Sequence, residues 1–385
     1  MGLKILVVSN APWTHTGYGV QTKGLIEHML KFGHEIAVLG FHGLTGNAIE
    51  WRGIPVYPAR RHKFGQDVVG YYAQHFDADI VITLIDLWVI KSDMRQRCGN
   101  RPWVAWFPLD GQPAVNSVTI ERARAADYPV CFSKFALGWA ERMGLECDYI
   151  PLGVDCEIFK PGDQMAARAR LGLPLDRFMV TMVAANKGYP ARKSFGEALE
   201  AFSRFRASNT SAMLYLHTNE QPDGGGILFD ELFDALGVPS SARAIVPPGE
   251  YAVGIPPADL ATIYQASDVL LAPSTGEGFG LPIAEAQACG CPVITQRWTA
   301  MPELVKNGIV VEPKQRFWVP SLNQWAAIPD IERLYYALNI VMSWTSSEKA
   351  NKSAAGVSFV RERYAWPVVA DAWRGLLERI EAELW

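Results

Sequence analysis

A chain of 385 residues with 49% hydrophobic and 20% charged side chains is long enough for two domains and too apolar to stay disordered. Its formal net charge of −4 gives no overall case for a protein that coats nucleic acid. The excess is local: residues 1–155 hold 15 Lys+Arg against 15 Asp+Glu, so the remainder carries all of it.

The apolar run at residues 4–9 reads as a first buried strand, and a chain that opens on a strand is expected to lack a signal peptide. A loop over 10–19, containing Thr16-Gly17-Tyr18-Gly19, a helix over 20–31, Gly33-His34-Glu35 and a second strand over 36–39 complete a βαβ unit. Buried strands are predicted at 79–84, 103–107 and 128–133. Pro108-Leu109-Asp110-Gly111 follows the middle one as a turn. Residues 149–155, YIPLGVD, read as the end of a first domain.

Beyond the linker at Lys160-Pro161-Gly162, a short helix over 165–171 leads to a strand over 178–184. Asn186-Lys187-Gly188-Tyr189-Pro190-Ala191-Arg192-Lys193 then precedes an amphipathic helix over 194–207. Cations packed at a helix start oppose its dipole, so as pure structure they are unfavourable, and a bound diphosphate would reverse that sign. A strand over 212–217, a glycine loop over 223–226, a strand over 244–248 and a helix over 257–265 follow. From 331 to the end the reading is helical, with a break near Gly356 and a bend at Pro367. No apolar run reaches the ~20 residues of a membrane span. Cys98, Cys131, Cys147, Cys156, Cys289 and Cys291 include no C-x2-C pair, as expected of reduced thiols in a cytoplasmic protein.

The stretch at 263–303, IYQASDVLLAPSTGEGFGLPIAEAQACGCPVITQRWTAMPE, is the most informative. A short strand at 269–272 ends in Pro273-Ser274. The glycine loop Gly276-Glu277-Gly278-Phe279-Gly280 and a helix over 282–289 come next, before a strand at 292–295. Glycines let a backbone approach a ligand, and free amides at a helix start favour an anion. Glu277 and Glu285 stand eight positions apart, and a carboxylate can accept from two vicinal hydroxyls of a sugar or ribose. On its own an E-x7-E pair is more often a loop and a solvated helix residue.

The whole stretch resembles the donor-binding segment of family-4 glycosyltransferases, retaining enzymes of the GT-B fold. The matching residues are Tyr264, Ser267-Asp268-Val269, Pro273-Ser274, Glu277-Gly278-Phe279-Gly280, Pro282, Glu285-Ala286, Gly290, Pro292-Val293 and Pro302-Glu303. The resemblance implies an α/β protein with two Rossmann-like domains facing a cleft. An acceptor domain at 1–157 and a nucleotide-sugar domain at 158–364 would be followed by a C-terminal helix at 365–385 crossing back to the first domain. It implies transfer from a UDP- or GDP-linked sugar to an acceptor hydroxyl, with retention and without metal or other cofactor. Lys193, with Arg192 and Lys187, would face the diphosphate, the amides of Gly278, Phe279 and Gly280 would assist, Glu277 would hold sugar hydroxyls and Glu285 the ribose. Gly17 and Gly19 occupy the place of the family's Gly-Gly pair, so they either lie near donor phosphate and acceptor or form a tight turn. Asp110 stands where many members carry His-Asp, and the histidine of that pair is replaced here by Leu109.

The expected acceptor is a glycan or small sugar. The alternative is a hydroxymethylated nucleic-acid base, held by Arg60, Arg61 and Lys63 with Arg95, Arg97 and Arg101. A sugar phosphorylase or epimerase of the same fold, or a sugar-nucleotide-binding protein without catalysis, are the remaining alternatives.

Overall fold

The computed structural model describes residues 2–114, 117–188, 191–220 and 225–385. Tyr189, Pro190, Asp223 and Gly224, part of the loops read from the sequence, lie outside the described residues. The chain divides into two compact units: Met1–Gly153 with Val319–Gln324 and Trp366–Trp385, and Val154–Trp318 with Trp325–Ala365. The divisions fall at 153/154 and 365/366, a few residues from those read from the sequence, and the tip of a hairpin is counted with the first unit.

The first unit is built on β1 (Lys4–Asn10), β2 (Glu35–His42), β3 (Ile49–Trp51), β4 (Ile54–Pro58), β5 (Ile80–Leu84), β6 (Trp103–Phe107), the two-residue β7 (Gln112–Pro113), β8 (Tyr128–Cys131) and β9 (Asp148–Tyr149). Their main sheet has the order β3-β4-β2-β1-β5-β6-β8-β9. All its pairs are parallel except β3 with β4. Residues 5–10 of β1 are all buried, which is why the strand reads as a continuous apolar run rather than an alternation.

The first helix begins at Gly17, three residues before its predicted start. Thr16 is the cap: its hydroxyl accepts from the Gly19 amide at 3.1 Å and from Asn10 Nδ2 at 2.6 Å. Gly17 and Gly19 therefore form the first helical turn, not the loop before it. A β-carbon at Gly19 would lie 2.0 Å from Thr14 Oγ1, whereas Gly17 has open space.

The C-terminal helix Trp366–Leu384 packs in this unit. Trp366 lies over Gly24 and Gly153, where β-carbons would fall 2.1 and 2.4 Å from its indole, and its ring stacks on His28. Buried Gln21 locks the same corner, donating to the Gly153 carbonyl at 2.7 Å and accepting from its amide at 2.8 Å. Trp373 meets Trp106 edge to face.

The second unit has a parallel sheet of β10 (Met179–Val183), β11 (Met213–His217), β12 (Arg243–Ile245), β13 (Val269–Leu271), β14 (Val293–Gln296) and β15 (Ile309–Val311), in the order β12-β11-β10-β13-β14-β15. Arg168 and Asp268 pin its amino edge. They pair at 2.6 Å with Arg168 almost wholly buried; Asp268 also accepts from the Met179 amide, and Arg168 donates to the carbonyls of Ala266, Leu175 and Arg177. A hairpin of β16 (Pro313–Val319) and β17 (Gln324–Pro329) follows.

The C-terminal region is three helices, Ile331–Ser343, Ser346–Arg363 and Trp366–Leu384. Breaks fall at Tyr364-Ala365 and at Trp344-Thr345, where Thr345 and Glu348 form a reciprocal capping box. Gly356 is not a break but a contact inside the second of these helices. A β-carbon there would lie 2.6 Å from Nδ2 of Asn307, which is fully buried and donates to the Cys291 carbonyl at 3.1 Å. Helix propensity alone would make Gly356→Ala stabilising by about 1 kcal/mol. The packing reverses the sign, and a loss of about 1–3 kcal/mol is expected in urea unfolding. A neutral or stabilised variant would show that Asn307 yields.

Candidate donor site

Both sheets reverse direction of winding once. In the second unit the reversal lies between β10 and β13, the strands from which the order runs outward on either side. A crevice opens at such a point beyond the carboxyl ends of the strands, and ligands of open α/β sheets bind there. The loop after β10 carries Lys187, Arg192 and Lys193; the loop after β13 carries Thr275 to Gly280.

These two loops clasp each other. The Thr275 amide donates to the Arg192 carbonyl at 2.8 Å, and Arg192 Nη1 returns a bond to the Gly276 carbonyl at 2.7 Å. Lys193 Nζ donates to Glu277 Oε1, and Arg192 Nη1 lies 3.3 Å from Oε2. The Glu277 and Lys193 side chains are only 14% and 17% exposed, against 42% for Arg192, so the pair sits at the inner end of the crevice. Lys187 is exposed but close enough to bear on Lys193 electrostatically.

Burial alone would raise the pKa of Glu277. The Lys193 and Arg192 cations, with hydrogen bonds from Lys193 and Ser274, overcome it and hold the carboxyl at about 2. Burial and the Arg192 charge lower the Lys193 pKa, and Glu277 opposes that shift.

Backbone geometry fixes the cluster. Ser194, next to Lys193, precedes the helix Phe195–Ser208 at φ +52°, and Gly280 precedes the helix Leu281–Ala288 at φ +108°. Thr299 adopts φ +49°, a strained region for a β-branched residue, and its Oγ1 accepts from the Glu277 amide at 3.0 Å. Phe279 is buried edge to face on Tyr364, so only its backbone is left for a ligand.

Glu285 differs. It is 5% exposed, one turn into the helix Leu281–Ala288, and its Oε2 accepts from the Tyr264 hydroxyl at 2.9 Å. Burial pushes its carboxyl up to about 7, although the Tyr264 bond pulls the other way. The structure thus brings Lys193, Arg192, Lys187 and Glu277 together and pairs Glu285 with Tyr264. Asp110, Gly17 and Gly19 lie in the first unit, at the carboxyl ends of β6 and β1. Asp110 is half-buried and accepts from Gln324 Nε2 at 3.1 Å.

Sequence reasoning assigned no role to Thr299, Ser274 or Tyr264. Nor did it single out His217 at the carboxyl end of β11, which burial holds neutral at about 4, with its ring 5.5 Å from that of Tyr251. Ser274 and Tyr264 stood within the recognised stretch, but a positive φ at a threonine leaves no sequence signal. Among the described residues no group of three or more His, Cys, Asp or Glu could hold a metal ion. No helix among them is long and apolar enough to cross a membrane.

Residues 181–335 match the family model of glycosyl transferases group 1. The chain is 34% identical over 166 residues to the D-inositol 3-phosphate glycosyltransferases of Mycobacterium tuberculosis and Mycobacterium bovis. That alignment covers 42% of this chain and 31% of the relative, so the chain matches about a third of those proteins' length. Among solved structures, sucrose-phosphate synthase of Thermosynechococcus elongatus superposes with a TM-score of 0.78 at 17% identity, covering 99% of this chain and 100% of that one. Anabaena HepE, solved with UDP and glucose, gives 0.69 at 16% identity over 98% and 99% of the two chains. WaaG, a glycosyltransferase of lipopolysaccharide biosynthesis, gives 0.70 at 13% identity over 96% and 98%. The fold is therefore GT-B. Over residues 181–335 the chain is similar to the group 1 glycosyltransferases.

The two carboxylates must affect stability with opposite signs. For Glu277 the folded pKa is depressed, so its contribution is present above the unfolded value and fades as pH falls toward about 2. For Glu285 the folded pKa is raised, so its burial favours the fold below the ordinary 4.5 and that benefit is lost as pH rises to about 7. Relative to Glu285→Gln, the wild-type protein is expected to lose roughly 3 kcal/mol across this window. Unfolding free energies measured at pH 4.5, 6 and 7.5 check it; a constant difference between the proteins would remove the raised pKa.

Proposed function

We propose that this protein transfers a sugar from a nucleoside diphosphate sugar to an acceptor hydroxyl, retaining the anomeric configuration. The observation that carries the proposal is Glu277 held between Lys193 and Arg192 at the winding reversal of the second sheet. A nucleotide sugar offers that crevice two complementary parts. Its diphosphate matches the cations, and its sugar hydroxyls match a carboxylate.

On this reading Lys193 and Arg192, with Lys187 at the rim, neutralise the charge that grows on the departing diphosphate, and the amides of Gly278, Phe279 and Gly280 add to it. Glu277 stays ionised between the cations and accepts from the sugar hydroxyls with the lone pairs they leave. Glu285 holds the ribose diol. The acceptor oxygen attacks the anomeric carbon from the face that the leaving group departs. The C–O bond to phosphate breaks, the new C–O bond forms, and a donor phosphate oxygen takes the acceptor's proton. The positive charge of the site is supplied by side chains, so turnover should persist in EDTA. The first unit receives the acceptor near Asp110 and the turn at Gly17 and Gly19. UDP- and GDP-linked donors both fit this chemistry; the UDP and UDP-glucose complexes of Anabaena HepE favour the uridine form. The relatives named for sucrose-phosphate, trehalose 6-phosphate and D-inositol 3-phosphate support a sugar or glycan as acceptor.

Lys193→Ala should lower kcat at least about a hundredfold, as loss of a preorganised charge contact costs roughly 2.7–4 kcal/mol. Release of UDP or GDP from matched donors, by a variant with wild-type unfolding behaviour, is the measurement. Retained turnover would take Lys193 out of the site.

Glu277→Gln should damage sugar transfer more than binding of the bare nucleoside diphosphate, whereas Glu285→Gln should weaken both. Calorimetric titration with UDP or GDP beside the transfer assay separates them, and the reverse pattern would show the two roles exchanged.

A further inference from the structure

The first unit contains an open cavity of about 680 Å³ lined by Gly46, Ala59, Arg60, Arg61, Asp67 and Val68. Its position follows from topology. Gly46 lies in the loop after β2, and Ala59 to Arg61 follow β4 directly. These strands run parallel, so both loops lie at the carboxyl edge of the sheet, the edge that also bears Thr16 and Asp110.

The cavity is cationic by construction. Arg60, Arg61 and Lys63 are exposed. Among the described residues none of the three is paired with a carboxylate. The acid in the wall, Asp67, is engaged with the backbone: its two oxygens accept from the amides of Arg61 and His62 at 3.0 and 3.2 Å. It thereby fixes the loop that presents the arginines. The other basic residues noted in the sequence behave differently. Arg95 pairs with Asp127 and Arg97 with Asp93, each at 2.6 Å, and Arg101 donates to the Ala78 carbonyl at 2.7 Å. The clustered arginines of 95–101 serve the unit's own structure, which leaves 60–63 as a cationic site open to a ligand.

We propose that the loop at 59–63 binds a phosphoester group of the acceptor, a role that rests on the sugar-transfer reading. Adjacent guanidinium groups suit a phosphate, which accepts paired hydrogen bonds from them. Distance then restricts the acceptor. β4 stands two strands from β1 and four from β6, so at about 4.8 Å per strand its carboxyl end lies about 10 Å from that of β1 and about 19 Å from that of β6. A phosphate on the same monosaccharide ring as the reacting hydroxyl does not span that separation. The phosphoester sits on a neighbouring unit of an extended acceptor.

The test compares three acceptors with matched donor: an oligonucleotide carrying hydroxymethylated bases, a phosphorylated disaccharide and the same disaccharide without phosphate. Donor hydrolysis is followed in parallel. At least one phosphorylated acceptor should show a KM about tenfold or more below that of the unphosphorylated sugar. Arg60→Glu with Arg61→Glu should abolish that advantage, Arg60→Gln with Arg61→Gln should reduce it, and both should leave donor hydrolysis and thermal unfolding unchanged. Salt identifies the source. If the group is a nucleic-acid backbone, affinity falls steeply between 50 and 200 mM salt and unmodified oligonucleotide competes; for a single phosphate the fall is shallow. Equal use of phosphorylated and neutral acceptors, or indifference to both double variants, overturns the proposal. Absence of both donor hydrolysis and transfer to any of the three acceptors by the wild-type protein would instead refute the sugar-transfer reading. Gel-shift and calorimetric binding of the phosphorylated probes then tests the cavity without catalysis, and no binding there overturns it.

Discussion

The clasp between Glu277 and the cations at 192 and 193 is the constraint on which the second unit's crevice depends. A carboxylate taken this far out of water is tolerable only with a compensating charge, and a lysine in the same place is tolerable for the same reason. Each group therefore stabilises the ionised form of the other. The backbone follows: the Arg192 carbonyl and guanidinium close onto Thr275 and Gly276, and Thr299 holds the Glu277 amide at the cost of a strained φ. The protein's own groups fasten the loop, so the charges are held in fixed places at the crevice. Preorganisation of this kind lets a site act on developing charge without first paying to reorganise.

The two units solve a common problem with the same topology. Parallel strands buried on both faces force their connections outward, and a reversal of winding leaves a gap at the carboxyl edge. In the second unit that gap collects Lys193 and Glu277 from loops more than eighty residues apart. In the first it lies between β1 and β5, beside the turn capped by Thr16. The two gaps differ in charge. The second unit's is built around an internal ion pair, whereas in the first unit Arg95 and Arg97 sit in structural pairs, and Arg60 and Arg61 are exposed on the loop after β4.

Much of this was legible in the sequence because the two Rossmann-like units announce themselves through fully apolar strands, and because the 263–303 stretch concentrates residues with few alternative explanations. The positions of Lys193, Arg192 and Glu277 came from that stretch and the cations after β10. What stayed hidden has identifiable physical causes. β3 and β4, and the hairpin of β16 and β17, carry too many polar or proline residues to show a strand period. Gly356 looked like a helix breaker because its reason for being glycine, the buried Asn307 side chain, is some fifty residues away. The first helix starts at Gly17 because Thr16 caps it, and two glycines in a row of four conceal a helical turn. The burial of Glu285 against Tyr264 could not be inferred from a motif that spaces it from Glu277 without stating its surroundings.

That last difference decides how the two carboxylates can be used. They are the same residue type, eight positions apart, and their environments drive them in opposite directions: Glu277 is held near 2 by two cations, and Glu285 is lifted to about 7 by burial. A group with a pKa of about 2 is too weak a base to collect an acceptor's proton at neutral pH, but it remains a permanent hydrogen-bond acceptor. Burial lifts Glu285 toward neutral pH, yet its Oε2 is engaged with the Tyr264 hydroxyl, and the ribose role proposed for it keeps it from the anomeric carbon. Basicity disqualifies Glu277 and position Glu285. If sugar is transferred in this crevice, the acceptor's proton is left to an oxygen of the departing diphosphate, whose growing charge makes it a better base as the glycosidic bond breaks. The ion pair would then serve the reaction twice, by keeping Glu277 out of proton traffic and by holding cations ready for the group that does take part.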